Sequence, residues 1–148
     1  MDTSSEIQST KYVNGSETIY ALARTGKDYT RCHEFMSNAN SKPIRLTFPT
    51  VMALRDSHII GIAATRASDQ AVVLGKLLVY GIERSHIVTL RLFQAYENIL
   101  KMAKVQVYIV AVETGNSTLY DLAEDLMGEP YSVDDKHAWF KRELSYVR

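Results

Sequence analysis

The chain is 148 residues long and 46% hydrophobic, enough for one domain with a substantial core. Its 17 basic and 17 acidic residues cancel, so broad electrostatic attraction to nucleic acid or to an anionic membrane is excluded as a default function. A single cysteine, Cys32, rules out an internal disulfide, and no apolar run is long enough to span a bilayer.

Residues 1–14 are rich in Ser, Thr, Glu and Gln and have no apolar periodicity. Such a segment is expected to be disordered alone and to be ordered only by docking, on its own fold, on another copy or on a larger assembly. The opening MDTSSEIQST has no apolar core of the kind a secretory signal needs, which points to an intracellular product. The chain therefore divides into a polar arm, 1–14, and one domain, 15–148.

TIYALAR, from Thr18 to Arg24, alternates as a strand does. A short helix is expected over Asp28 to Met36, capped by Thr25 or Asp28, followed by polar punctuation in SNANSKP. From Val51 a hairpin is legible: VMAL, a turn at Arg55-Asp56-Ser57, then HIIGIAATR, where Gly61 marks a bulge or a close backbone approach. AVVLGKLLV, from Ala71 to Val79, reads as a strand. The next stretch, ERSHIVTLRLFQAYENILKMAK, reads as a long helix capped by Ser85. Arg91, Gln94, Asn98 and Lys101 give that helix a wet face, with Val88, Leu92, Ala95, Tyr96, Ile99 and Ala103 opposite. VQVYIVAV is apolar and β-branched enough to be a central strand buried on both faces. Gly115-Asn116 end it, Ser117 caps a helix over TLYDLAEDL, Gly128 and Pro130 stop that helix, and HAWFKREL returns as an edge strand.

The order strand, helix, hairpin, strand, long helix, strand, helix, strand resembles the GNAT acyltransferase superfamily over roughly Thr18 to Leu144. ALRDSHIIGIA looks like the family's second hairpin, and GKLLV with the long helix looks like its cofactor-binding unit. VETGNSTLYDLAEDL resembles its fifth strand, asparagine and following helix, and HAWFKREL its closing strand. The resemblance implies an α/β (α+β) domain: a mixed, mostly antiparallel sheet with a central parallel strand–helix–strand unit.

Working members carry Gln/Arg-x-x-Gly-x-Gly/Ala before the long helix, because backbone N–H groups there must converge on the pyrophosphate of acetyl-CoA. The best register here begins at Arg84 and puts β-branched Ile87 and Thr89 at the two small positions, where their bulk obstructs that approach. A tyrosine that many members place seven residues after the asparagine is Ala123 here, with Tyr120 nearly one turn earlier. The resemblance thus implies two opposed readings. In one, resembling the small degenerate GNAT-like proteins of tailed-phage virion gene blocks, the eroded fold is a non-catalytic structural or assembly component. It would have no cofactor, act through protein contacts or self-assembly involving residues 1–14, and reside in host cytoplasm or a virus particle. In the other, an acetyl-CoA-dependent N-acetyltransferase, Leu77, Leu78 and Val79 hold the pantetheine arm. Arg84, Ser85, His86, Ile87 and Val88 hold the pyrophosphate, Glu113 is the base and Tyr120 the candidate acid.

Other groupings are weaker. The four histidines and Cys32 show no metal-ligand spacing. Cys32 and His33 are adjacent on a helix and point about 100 degrees apart, poor geometry for a nucleophile–base pair. His58 fits the lining of the hairpin turn. Trp139 and Phe140 alternate on a strand, so one faces the core and the other is free to meet a partner. Arg84, Arg91, Lys101 and Lys104 could form a stripe for nucleic acid, but the zero net charge argues against it, and no membrane contact is expected.

Overall fold

A computed structural model describes residues 6–11, 17–80 and 86–144. Eleven elements follow in the order β1 (Glu6–Lys11), β2 (Glu17–Leu22), α1 (Gly26–Asn38), β3 (Leu46–Arg55), β4 (His58–Arg66), β5 (Val73–Val79), α2 (His86–Met102), β6 (Val107–Glu113), α3 (Ser117–Met127), β7 (Ser132–Val133) and β8 (His137–Glu143). The strands form one sheet in the order β1-β2-β3-β4-β5-β6-β8-β7. Every pairing is antiparallel except that of β5 with β6. The mixed α/β domain expected from the sequence is therefore present.

Local chemistry sets the element ends. Thr25 caps α1 through a capping box: Asp28 N–H donates to Thr25 Oγ1 at 3.1 Å, and Thr25 N–H donates to Asp28 Oδ2 at 3.3 Å. At the far end of α2, Lys104 adopts φ +64°, and Val105 N–H donates back to Leu100 O at 3.0 Å. This left-handed closure ends the helix before Ala103, which is exposed instead of packed on the sheet as expected. In the β3–β4 turn, Asp56 and Ser57 both have positive φ, 49° and 67°, the twist that a two-residue hairpin needs.

Docking of part of the polar arm, one of the expected outcomes, is accompanied by three further differences from expectation, each with a local cause. Residues 6–11 of the polar arm dock on the fold as β1, paired with β2. β3 begins at Leu46, because an irregularity between Thr47 and Thr50 accommodates Pro49 without ending the strand. β8 is not at the edge of the sheet, since the chain after Gly128 and Pro130 returns beside it as the two-residue β7, with Tyr131 N–H donating to Trp139 O at 2.9 Å. α3 is capped by Asn116, one residue before the expected Ser117, its side chain accepting from Leu119 N–H at 3.1 Å.

Apolar cores lie on both faces of the sheet. α2 and α3 cover one, built around Tyr20, Val51, Leu74, Leu92, Tyr96, Val110 and Phe140. α1 covers part of the other with Cys32, Phe35 and Met36 against Met52, Ile62 and Ala64. Gly61 sits where a Cβ would come within 2.9 Å of Leu92 Cδ1 and 3.0 Å of Leu78 O, and a register shift falls beside it, so this position is both a bulge and a close approach. Among the described residues, no helix is long and apolar enough to cross a membrane.

Candidate active site

The parallel pairing of β5 and β6 covers only Val73 with Ile109 and Leu74 with Val110. Beyond these pairs the strands part. β5 continues on β4 through Leu77, Leu78 and Val79, while β6 continues on β8 as far as Glu113. A cleft of about 410 Å³ opens in the gap, lined by Leu77, Leu78, Val79, His86, Thr89 and Glu113 and closed off by residues 114–119.

The backbone of β5 faces this cleft at alternate residues. Tyr80 N–H donates to Ile60 O at 2.7 Å, and Gly61 stands opposite Val79. In an antiparallel ladder, Leu78 and Tyr80 then bond to β4, while the N–H and C=O groups of Leu77 and Val79 point away from it, into the gap. The first turn of α2 opens on the same space through His86 and Thr89, with the positive end of its helix dipole.

Glu113, at the end of β6, is the junction of the region and borders three cavities. Its Oε1 accepts from the ammonium of Lys76, which lies on β5 and is only 3% exposed. The Glu113 side chain itself is 40% exposed. The ion pair spans the two strands just past the point where their hydrogen bonding stops.

The structure thus brings Leu77, Leu78, Val79, His86 and Glu113 around one cleft. Arg84 and Ser85 lie outside the described residues. Ile87 is 55% exposed and is not part of the lining, so its bulk does not fill the space. Thr89, the other β-branched residue at a small position, does line the cleft. Val88 is buried in the core beneath α2. Tyr120 stacks edge-on against Phe140, ring centroids 5.4 Å apart, and borders a neighbouring cavity of about 290 Å³ on the β8 side of β6, whose lining includes Glu113 but no residue of β5. Ala123 is buried in the core.

Lys76 went unnoticed in the sequence. A lysine between Gly75 and Leu77 inside an apolar strand was the available signal, because a buried ammonium requires a carboxylate partner. Cys32 is buried, and its thiol is pushed up to about 12 by desolvation and then by nearby Asp28, which keeps it protonated and unreactive at neutral pH. His58 opens β4 at the hairpin turn and is exposed.

Neither the scan against protein-family models nor the search of curated proteins found a match. Solved structures do match. The diaminobutyrate acetyltransferase EctA from Paenibacillus lautus, solved with L-2,4-diaminobutyric acid and coenzyme A, aligns with a TM-score of 0.64 at 14% identity, over 90% of this chain and 100% of that one. The ribosomal-protein-S18-alanine N-acetyltransferase from Escherichia coli aligns at 0.62 and 11% identity, over 88% and 96%. The PaiA N-acetyltransferase from Thermoplasma acidophilum, solved with coenzyme A, aligns at 0.59 and 15%, over 80% and 72%. At these identities the likeness speaks for architecture alone. The chain therefore has the fold of the GNAT N-acetyltransferases.

Proposed function

We propose that the chain binds an acyl-CoA in the cleft between β5 and β6 and transfers its acyl group to an amine. The observation that carries this reading is the open cleft itself, with the Leu77 and Val79 backbone groups aimed into it and Glu113 at its inner end. The donors present suit the ligand: a pantetheine arm is a chain of amides, and strand-edge N–H and C=O groups pair with amides as a neighbouring strand would. His86 and the start of α2 lie where its phosphates would meet a helix N-terminus.

When bound, an acyl-CoA supplies a thioester-activated acyl group and leaves as the free thiol, so the acceptor nitrogen sheds one proton and the sulfur takes one up. Glu113 is the group placed to receive the nitrogen's proton. Its Oε1 is engaged by Lys76, and the exposed remainder of the side chain faces the cavities. Tyr120 opens on the adjoining cavity, so in this reading the sulfur's proton comes from solvent entering the open cleft.

A second reading, a retained scaffold that binds without turnover and acts through protein contacts, draws support from two observations. Glu113 already holds an internal ammonium, and Thr89 keeps its bulk in the lining. Calorimetric titration with acetyl-CoA at near-millimolar concentration tests the main proposal, since working enzymes have Michaelis constants of about 1 μM to 1 mM. Saturable heat is expected. Absence of heat overturns the proposal, and heat without acetylation of any amine in a panel of amino acids, peptides and diamines favours the scaffold.

A further inference from the structure

A broad cavity of about 730 Å³ lies beside the cleft, on the α1 face of the sheet where α1 itself does not reach. The two spaces meet at Glu113 and Thr114. In a chain of zero net charge, this cavity is lined by five cationic side chains and two carboxylates. Lys76 and Glu113 neutralise each other. Lys42, Arg45, Arg66 and Lys136 remain against Asp135 alone, and among the described residues none of these four side chains has a carboxylate partner.

The excess charge is anchored at one point. The Arg66 guanidinium carbon lies over the Trp139 ring, 5.9 Å from its centroid, at cation–π distance, and among the described residues its N–H groups donate to no protein acceptor. Gly75 makes the approach possible, because a Cβ there would come within 2.7 Å of Arg66 Cβ and 3.0 Å of Ile44 Cδ1. The loop that carries Lys42 and Arg45 is pinned to the same strand end, with Ala67 N–H donating to Arg45 O at 2.8 Å. Opposite, Asp134 accepts from the backbone N–H groups of Lys136 and His137, each at 2.8 Å, and from Trp139 Nε1 at 3.0 Å, which fixes both the turn and the indole.

We propose that this cavity is an oxyanion subsite that receives the carboxylate or phosphate end of an amine-bearing acceptor on Arg66, against Trp139, with the acceptor's amine directed to Glu113. The proposal rests on the transferase reading for the fate of the amine but not for the binding of the anion. Acceptors with an anionic end are favoured, and polyamines, repelled by Lys42, Arg45 and Lys136, are not.

Trp139 is the chain's single tryptophan, so its fluorescence reports on this cavity without coenzyme. Three probes share a primary amine on a short chain and differ at the far end: 4-aminobutyrate, O-phosphoethanolamine and 1,4-diaminobutane. Saturable changes are expected with the first two, weakened by added salt, and none with the diamine. The tighter of the two anions identifies the source of the oxyanion. Arg66→Gln should weaken anion binding about tenfold, the worth of one charge-assisted hydrogen bond. Lys136→Ala and Arg45→Ala, at exposed loop and turn positions, provide the same test with smaller losses if Arg66→Gln does not fold. A response to the diamine equal to that of the anions, or anion affinities unchanged in all the folded variants, overturns the proposal. Anion binding by a protein that takes no acetyl-CoA would sink the transferase reading and leave this one standing. Acetyl-CoA binding with a silent Trp139 would do the reverse.

Discussion

Glu113 and Lys76 make the site more than a shape. A carboxylate at a strand end is ordinarily solvated, but this one is shared between a buried ammonium and three cavities. Glu113→Gln keeps an oxygen for Lys76 and removes the proton acceptor. In steady-state acetylation its kcat is expected to fall about a hundredfold, with coenzyme affinity unchanged by calorimetry. An unaltered kcat would remove Glu113 from the chemistry. The site was partly legible at this scale. Leu77, Leu78, Val79, His86 and Glu113 were implied by the GNAT resemblance, and the structure gathers them around one cleft. Lys76 and Arg66 were not, since their roles depend on partners 37 and 73 positions away, Glu113 and Trp139, which no local pattern pairs. Ile87 misled for a related reason. β-branching predicts bulk but not direction, and on α2 the side chain turns to solvent.

The elements were more readable than their edges. The buried row of α2 was legible from its 3.6-residue period, which placed Val88, Leu92, Ala95, Tyr96 and Ile99 correctly. That row is wider than the apolar residues alone indicate, because it includes Glu97 at 7% exposure. Glu97 accepts from Tyr108 Oη at 2.6 Å and from Arg142 Nε at 2.7 Å and Nη2 at 3.1 Å. Arg142 Nη1 also donates to Leu126 O at 3.3 Å. One carboxylate thus binds α2 to β6, β8 and, through the guanidinium, α3. Its replacement in Glu97→Leu leaves the Arg142 charge and the Tyr108 hydroxyl without a partner. Urea denaturation should show a loss of roughly 3 kcal/mol, the scale for breaking a buried pair. A loss below about 1 kcal/mol would mean that water readily replaces the carboxylate.

Across the whole molecule, burial sets the response to alkali. Tyr29, Tyr96, Tyr108 and Cys32 are all held above their ordinary values, each chiefly by desolvation, with Glu97 adding to the rise at Tyr108. A raised value favours the protonated form in the folded state. Its stabilisation is complete below the unfolded values, about 9 for the thiol and 10 for the phenols, and is lost as pH climbs toward the folded ones. Urea midpoints should therefore hold level to about pH 9 and fall steeply above it, whereas a flat profile to pH 11 would contradict the packing of the three tyrosines. The sheet has one more property at this scale. β1 through β5 form one plate and β6, β8 and β7 another, and among the described residues main-chain pairing joins the plates only along the short run from Val72 to Leu74 beside Ile109 and Val110. Past that short spine, load crosses through α2, strapped to both plates by its core contacts and Glu97, and through the Lys76–Glu113 rivet. The slot's width is consequently governed by side chains rather than by the rigid amide lattice, so conservative exchanges distant from any substrate could retune what fits between the pages.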